Sequence, residues 1–267
     1  MITSIHNPRV KAARKLADRK ERYATGMLLA EGVRMIDDAV QAGIQPVVVF
    51  YDPLVAEANP LAAALLAKLE ADGTDCQPCT PEVFTTLTST VTPQGLVAVL
   101  PLPLNLPFPR PLTFALVLDA VRDPGNAGTL LRSAAAAGVQ GVIFGPQTVD
   151  PFNDKVLRAG MGAHFRVPLR ICHTWEQVRQ ILGSGPQIYL AEADTQLAYD
   201  QVDWRAPCVL VVGGEASGAG APARADAITI AIPMHSSVES LNAAVAGSVI
   251  LFEAARQRRE GRIAPLC

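Results

Sequence analysis

The stretch from Ile228 to Arg259, ITIAIPMHSSVESLNAAVAGSVILFEAARQRR, constrains this chain more than any other, because it joins two apolar elements through a crowded polar junction. Ile228, Ile230 and Ile232 alternate as the β-branched residues of a strand, and Pro233 ends it because proline cannot donate to a sheet ladder. From Ser240 to Arg259 the spacing predicts a helix, with Leu241, Val245, Val249, Phe252 and Arg256 recurring every three or four residues. Cations gather in its last turns, where the helix dipole favours them. Between the two elements lie Ser237, Glu239, Ser240 and Asn242. Ser and Asn are ordinary capping residues, so a helix cap accounts for the junction taken alone. What precedes it argues for more.

A chain of 267 residues holds one or two domains. With 49% apolar and 18% charged residues it can bury a sizeable core and does not have a disordered composition. No apolar run reaches the roughly 18 residues that a membrane span needs. The N-terminal MITSIHNPRVKAARK lacks the apolar core of a secretory signal, so a cytoplasmic protein is expected. The cysteines, Cys76, Cys79, Cys172, Cys208 and Cys267, are odd in number and scattered, which argues against a disulfide framework. Cys76-Gln-Pro-Cys79 has metal-ligand spacing but no second pair, so buried apolar roles are expected rather than a metal or redox site.

The order of elements is α/β throughout. A helix from Asn7-Pro8 to about Tyr23 is followed by a strand at Met27 to Glu31 and a helix from Val33 to Ala42 closed by Gly43. Strands at Pro46–Tyr51 and Gly95–Leu100 flank a helix at Asn59–Ala71. Pro101, Pro103, Pro107, Pro109 and Pro111 then mark a stiff, extended linker over 101–111, dividing a domain at 1–100 from one at 112–267. In the second domain, strands are expected at Phe114–Val121, Val139–Gly145, Arg166–Ile171, Gln187–Ala193, Cys208–Gly213 and Ile228–Ile232. Helices are expected at Asn126–Ala137, about Asp154–Ala163 and Trp175–Leu182.

Net charge is only −2, but Arg9, Lys11, Arg14, Lys15, Arg19, Lys20 and Arg22 cluster against Asp18 and Glu21. A solvated helix face explains that cluster about as well as an RNA-contacting one.

Three polar, glycine-marked segments each follow a predicted strand of the second domain. They are DAVRDPGNAGTLLRSA from Asp119, GGEASG from Gly213, and IPM from Ile232 leading to ESLN at Glu239–Asn242. Ligands gather beyond the carboxyl ends of strands in open α/β sheets, so the three point to one shared site. Asn126 could cap its helix, and Arg132 stands among Leu130, Leu131, Ala134 and Ala135, a setting in which arginine usually meets an anion. Gly218-Ala-Gly-Ala-Pro-Ala223 fits a loose dinucleotide pattern. The return to strand by Ile228 leaves too few residues for a crossover helix, which speaks against a nicotinamide enzyme.

DPGNAGTLLRSA, GGEASG and IPMHSSVESLNAAVAG resemble, in order and spacing, the three motifs of the SpoU (TrmH-like) RNA ribose 2′-O-methyltransferases of the SPOUT superfamily. ITSIHNPRVKAARKL through LLAEGVRMIDDA is similar to the RNA substrate-binding domain that many members carry. Ala216 and Ser217 vary at tolerant positions of the second motif. The resemblance implies a C-terminal parallel sheet with a deep trefoil knot, a smaller N-terminal α/β RNA-binding domain, and a homodimer whose partner supplies part of each site. It implies S-adenosylmethionine held by backbone near Gly213, Gly214, Gly218, Ile232, Met234 and Leu241, and a reacting ribose surrounded by Asn126, Arg132, Glu215, Ser240 and Asn242. RNA contacts would come from Arg9, Lys11, Arg14, Lys15 and Arg34. A sulfonium methyl is electrophilic enough that no metal is required. Arginine is effectively always protonated, so Arg132 suits a developing alkoxide better than the role of a free base. Ribosomal RNA is the expected substrate. Transfer RNA, or a non-catalytic RNA-binding role on the same fold, is the alternative.

Overall fold

The computed structural model describes residues 1–104, 106–215, 217–235 and 240–260. Ala216, Ser237, Glu239 and Cys267, singled out above, lie outside the described residues. The chain divides into two units, Met1–Pro103 with Phe152–Leu157, and Leu104–Pro151 with Arg158–Cys267.

In the first unit the elements run α1 (Pro8–Lys15), α2 (Arg19–Thr25), β1 (Met27–Glu31), α3 (Val33–Gln41), β2 (Val48–Tyr51), α4 (Pro53–Ala58), α5 (Pro60–Ala71), β3 (Cys76–Pro78), α6 (Pro81–Thr85) and β4 (Leu96–Pro101). The four strands order as β1-β4-β2-β3, with β4 antiparallel to both neighbours and β2 parallel to β3. Val97 and Val99 of β4 join Val10 and Ala13 of α1, Phe50, and Val83 and Phe84 of α6 in one apolar cluster. The alternate residues Leu96, Ala98 and Leu100 are buried as well, so this strand is covered on both faces.

The single helix expected from Asn7 to Tyr23 is two helices. Asp18 breaks it, its side chain accepting from the Lys20 N–H at 2.7 Å to cap α2. Arg22, counted above in a basic face, is buried and donates to the carbonyls of Leu16 and Ala17 at 2.9 and 2.8 Å, closing the turn between the helices.

The second unit continues with β5 (Phe114–Asp119), α7 (Pro124–Ala136), β6 (Gly141–Phe144), α8 (Asp154–Gly160, which begins in the first unit's segment), β7 (Leu169–Ile171), α9 (Trp175–Leu182), β8 (Gln187–Ala191), β9 (Cys208–Gly213), α10 (Ala221–Asp226), β10 (Ile228–Ile230) and α11 (Ala243–Glu260). Its six strands are all parallel, in the order β10-β8-β9-β5-β6-β7. FALVLD is buried along its whole length, as a central strand of a sheet covered on both faces must be. Ala115, Val117, Val209 and Val211 face Trp175, Val178 and Leu182 of α9 and Ala223 of α10. On the other face α7 and α11 pack together, Gly247 lying close against Leu130 and Val212.

The proline-rich stretch is less free than a spacer. Arg170 of β7 donates to the carbonyls of Leu104 and Leu106 at 3.0 Å each and stacks on the Phe108 ring, which packs against the sheet's apolar cluster. The segment after β9 holds only the six-residue α10, short of the dozen or so residues of an ordinary crossover, and β10 lies at the far edge of β8 rather than beside β9.

No helix among the described residues is long and apolar enough to cross a membrane.

Candidate active site

The site is built where β5, β8, β9 and β10 end. After β5 the chain turns through Ala120, whose φ is +59°, and α7 begins at Pro124. Asp123, not Asn126, caps this helix, accepting from the Asn126 N–H at 2.8 Å. The Asn126 side chain is thereby left for other partners. Its Nδ2 donates to Glu215 Oε1 at 2.5 Å, and its Oδ1 accepts from Asn242 Nδ2 at 3.0 Å. Asn242 Nδ2 also donates to Glu215 Oε1 at 2.8 Å. One residue from each of the three glycine-marked segments thus meets in a closed triangle.

Each corner is fixed by its own local structure. Asn242 Oδ1 accepts from the backbone N–H groups of Ala244 and Val245 at 2.9 and 3.2 Å. The plain capping reading of the junction is therefore correct, and the same side chain serves the triangle as well. Glu215 sits in a tight loop closed by paired backbone bonds between Gly214 and Gly218, at 3.2 and 2.9 Å. A Cβ at Gly214 would lie 2.1 Å from the Ala120 carbonyl oxygen, so only glycine lets the two loops touch.

Asp119, at the end of β5, is 2% exposed, and its Oδ2 accepts from the Gly220 N–H at 2.6 Å. Burial pushes its carboxyl up from the usual range, and the Gly220 bond opposes that only in part. The sequence reading placed Asp119 in the first segment without a role. Its one visible signal was an acid terminating an otherwise apolar strand.

Beside the triangle opens a cavity of about 660 Å³. Val212, Ile230, Ile232, Ala246 and Ile250 supply apolar walls, and Glu192, Asp194, Glu215, Arg224 and Ser240 supply polar groups. Of the residues expected to hold a cofactor, Gly213, Gly214, Gly218, Ile232, Met234 and Leu241 all line it. Of those expected around the reacting sugar, Glu215, Ser240 and Asn242 line it, and Asn126 joins through the triangle.

Arg132 stands apart. It is exposed on α7 and lines no part of the cavity. Six residues beyond Asn126, about 100° per residue turns it to another side of the helix. The anion expected beside it is not found among the described residues.

Glu192, Asp194 and Arg224 were missed. The first two follow β8 directly, so their only signal was their position at a strand's carboxyl end.

In the first unit Arg9, Lys11, Arg14, Lys15 and Arg34 are exposed, and Arg9 pairs with Asp75 at 2.7 Å. Burial pushes the Cys76 and Cys79 thiols up to about 11 each, so both are protonated at neutral pH. Among the described residues no group of three or more His, Cys, Asp or Glu could hold a metal ion.

Residues 113–252 match the SpoU rRNA Methylase family, and residues 7–98 match the MRM3-like substrate binding domain. The chain is 31% identical to the Bacillus subtilis 23S rRNA (guanosine(2553)-2'-O)-methyltransferase RlmP, over 94% of this chain and 97% of that protein. It is 32% identical to the mouse mitochondrial rRNA methyltransferase 3, over 89% and 69%. The AdoMet-bound crystal structure of an rRNA methyltransferase from Sinorhizobium meliloti aligns with a TM-score of 0.81 at 31% identity, covering 96% of this chain and 97% of that one.

Proposed function

Because the chain belongs to the SpoU rRNA methylase family, we propose that it methylates a ribose 2′-oxygen of ribosomal RNA with S-adenosylmethionine as donor. The observation that carries this reading is the Asn126–Glu215–Asn242 triangle at the side of a cavity bounded by the second and third glycine-marked segments. The residues present suit that donor. Apolar walls fit an adenine, the backbone polar groups of the two loops fit its edge, and the surplus of carboxylates fits a cation. When bound, S-adenosylmethionine supplies an electrophilic methyl group.

The rest falls to the chain's own side chains. Glu215 and Asn242 hold Asn126 in one orientation, so the second N–H and the second lone pair of its amide can position a sugar hydroxyl without reorganising, while Asn242, whose own amide is fully engaged, fixes that geometry. Ser240, exposed on the cavity rim, adds a further donor and acceptor. Arg132 stabilises negative charge developing on the 2′-oxygen as its proton leaves.

A homodimer reconciles that role with the distance of Arg132 from the cavity. Leu241, Val245, Val249 and Phe252 form an exposed apolar stripe at and along α11, which suits a subunit interface. The partner subunit's Arg132 would then complete each site.

A trefoil knot is part of the same reading. Its support is that β10 pairs with β8 while Ala231, just beyond it, exchanges 2.9 Å bonds with Leu197 and Tyr199 of the loop leaving β8. We assign 1–100 to RNA binding, 101–111 to the linker and 112–267 to methyl transfer. Arg9, Lys11, Arg14, Lys15 and Arg34 meet RNA phosphates and 2′-hydroxyls, and the work is done in the cytoplasm.

Nucleotide-resolution mapping of ribose methylation in total RNA, with and without this protein, tests the proposal. One site lost from ribosomal RNA supports it. A site lost from transfer RNA keeps the chemistry and overturns the substrate, and an unchanged map overturns the activity.

A further inference from the structure

We infer that Glu192 and Arg224 form the subsite for the amino-acid end of the cofactor, Arg224 taking its carboxylate and Glu192 its ammonium group. The inference rests on the S-adenosylmethionine reading above and adds to it a pair that no glycine-marked segment pointed to.

Glu192 follows β8 and Arg224 lies on α10, and both line the cavity. They meet through a single carboxylate oxygen. Glu192 Oε1 accepts from Arg224 Nε at 2.8 Å, and Nη2 lies 2.5 Å from the same oxygen in the ion pair. Glu192 Oε2 and Arg224 Nη1 make no such bond among the described residues, which leaves an acceptor and a donor edge for a ligand. The two side chains are 24% and 50% exposed, respectively, so the pair is open to the cavity rather than sealed. An ion pair this exposed contributes little to folding.

Charge assigns the two halves. The described lining carries three carboxylates, Glu192, Asp194 and Glu215, and one guanidinium, Arg224. A zwitterionic tail brings one anion into that surround. Beside Asp194 or Glu215 alone it would be repelled, and beside Arg224 it is attracted in the planar geometry that guanidinium and carboxylate share. The ammonium then falls toward Glu192, the acid already in contact with Arg224.

Distance agrees. The Arg224 guanidinium lies over Gly218, where an added Cβ would be 3.0 Å from Nη2, and Gly218 closes the same tight turn that presents Glu215. Arg224 is thus one turn away from the Asn126–Glu215–Asn242 triangle. The tail carboxylate is likewise only a few bonds from the sulfur that must face that triangle.

The test compares calorimetric affinities of the full chain for S-adenosylmethionine, S-adenosylhomocysteine and 5′-methylthioadenosine, which keeps the nucleoside and the sulfur but lacks the tail. Arg224→Met should weaken the two tail-bearing ligands by about tenfold to a hundredfold. It should leave methylthioadenosine within about twofold, which also shows that the variant is folded. Glu192→Gln should repeat the pattern, at about fivefold or more. Equal loss for all three ligands would mean that the pair only braces the loop, and no loss would mean that the tail lies elsewhere. Either result overturns the inference while the cofactor reading stands. Wild-type protein that binds none of the three would overturn the cofactor reading and this inference with it.

Discussion

Asn126 and Asn242, 116 positions apart, meet at 3.0 Å and share one oxygen of Glu215 as their common acceptor. The contact makes α7 and α11 present their first turns to the same point, and it ties the loop after β9 to both. Asn242 is engaged twice, because its oxygen caps α11 while its amide belongs to the triangle.

Glu215 and Asn242 should therefore separate by stability. Asn242→Ala removes a cap and is expected to cost about 0.5–2 kcal/mol in urea unfolding. Glu215→Ala removes only an exposed carboxylate and should stay within about 0.5 kcal/mol of wild type. Both should lower turnover by about a hundredfold, since the remaining amides lose their fixed orientation. A Glu215→Ala enzyme with wild-type turnover would remove the triangle from the reaction.

Arg132 predicts a different split. It is exposed and outside the cavity, so Arg132→Ala should leave S-adenosylmethionine affinity and stability nearly unchanged. Its single-turnover rate should fall by about a hundredfold to a thousandfold. Turnover near wild type would show that the positive charge is not used.

The elements were legible where one local signal decided them. The helix expected at Trp175–Leu182 is found at those bounds, where its apolar spacing and the Thr174 cap agree, and Gly138, at φ +77°, follows the end of α7. The parallel sheet and the smaller α/β unit also stand as expected. What failed were features whose cause is elsewhere in the chain. The break at Asp18 hid inside a continuous run of charges. Asp52 and Pro53, which cap and open α4, were a readable start for a helix too short to show a period. Glu192 and Asp194 could not be found from sequence, because strand ends say that a site exists and not which ends are neighbours. Only the order β10-β8-β9-β5 brings Glu192 within reach of Arg224, 32 positions later.

Asp119 carries a pH signature. Its folded pKa is raised by burial, so the folded state holds this proton more tightly than the unfolded chain. The stability it contributes is fully present below the unfolded value of 3.8 and is lost as pH rises through the folded pKa. Asp119→Asn keeps an acceptor for the Gly220 N–H and should flatten the stability–pH curve in that window. Asp119→Ala should cost about 1–3 kcal/mol at neutral pH by leaving that N–H without its partner. Chemical denaturation at several pH values reads both, and identical slopes for wild type and Asp119→Asn would count against the buried carboxylate as their source.

The last prediction concerns Phe252, 50% exposed on the helix whose preceding turns expose Val245 and Val249. Exposed singly, such residues are common, but at spacings of three and four they form one stripe on α11. A charge placed in a buried apolar interface is costly unless it is paired. If that stripe is the interface of the proposed homodimer, wild type should sediment as a dimer and Phe252→Asp as a monomer in sedimentation velocity at micromolar concentration. Because the residue is exposed within one subunit, its folded spectrum should be unchanged. If Arg132 serves the partner's site, the monomeric variant should also lose turnover while still binding S-adenosylmethionine. Full activity from a monomer would mean that each chain completes its own site, and the role of Arg132 would have to be argued again from its position on α7.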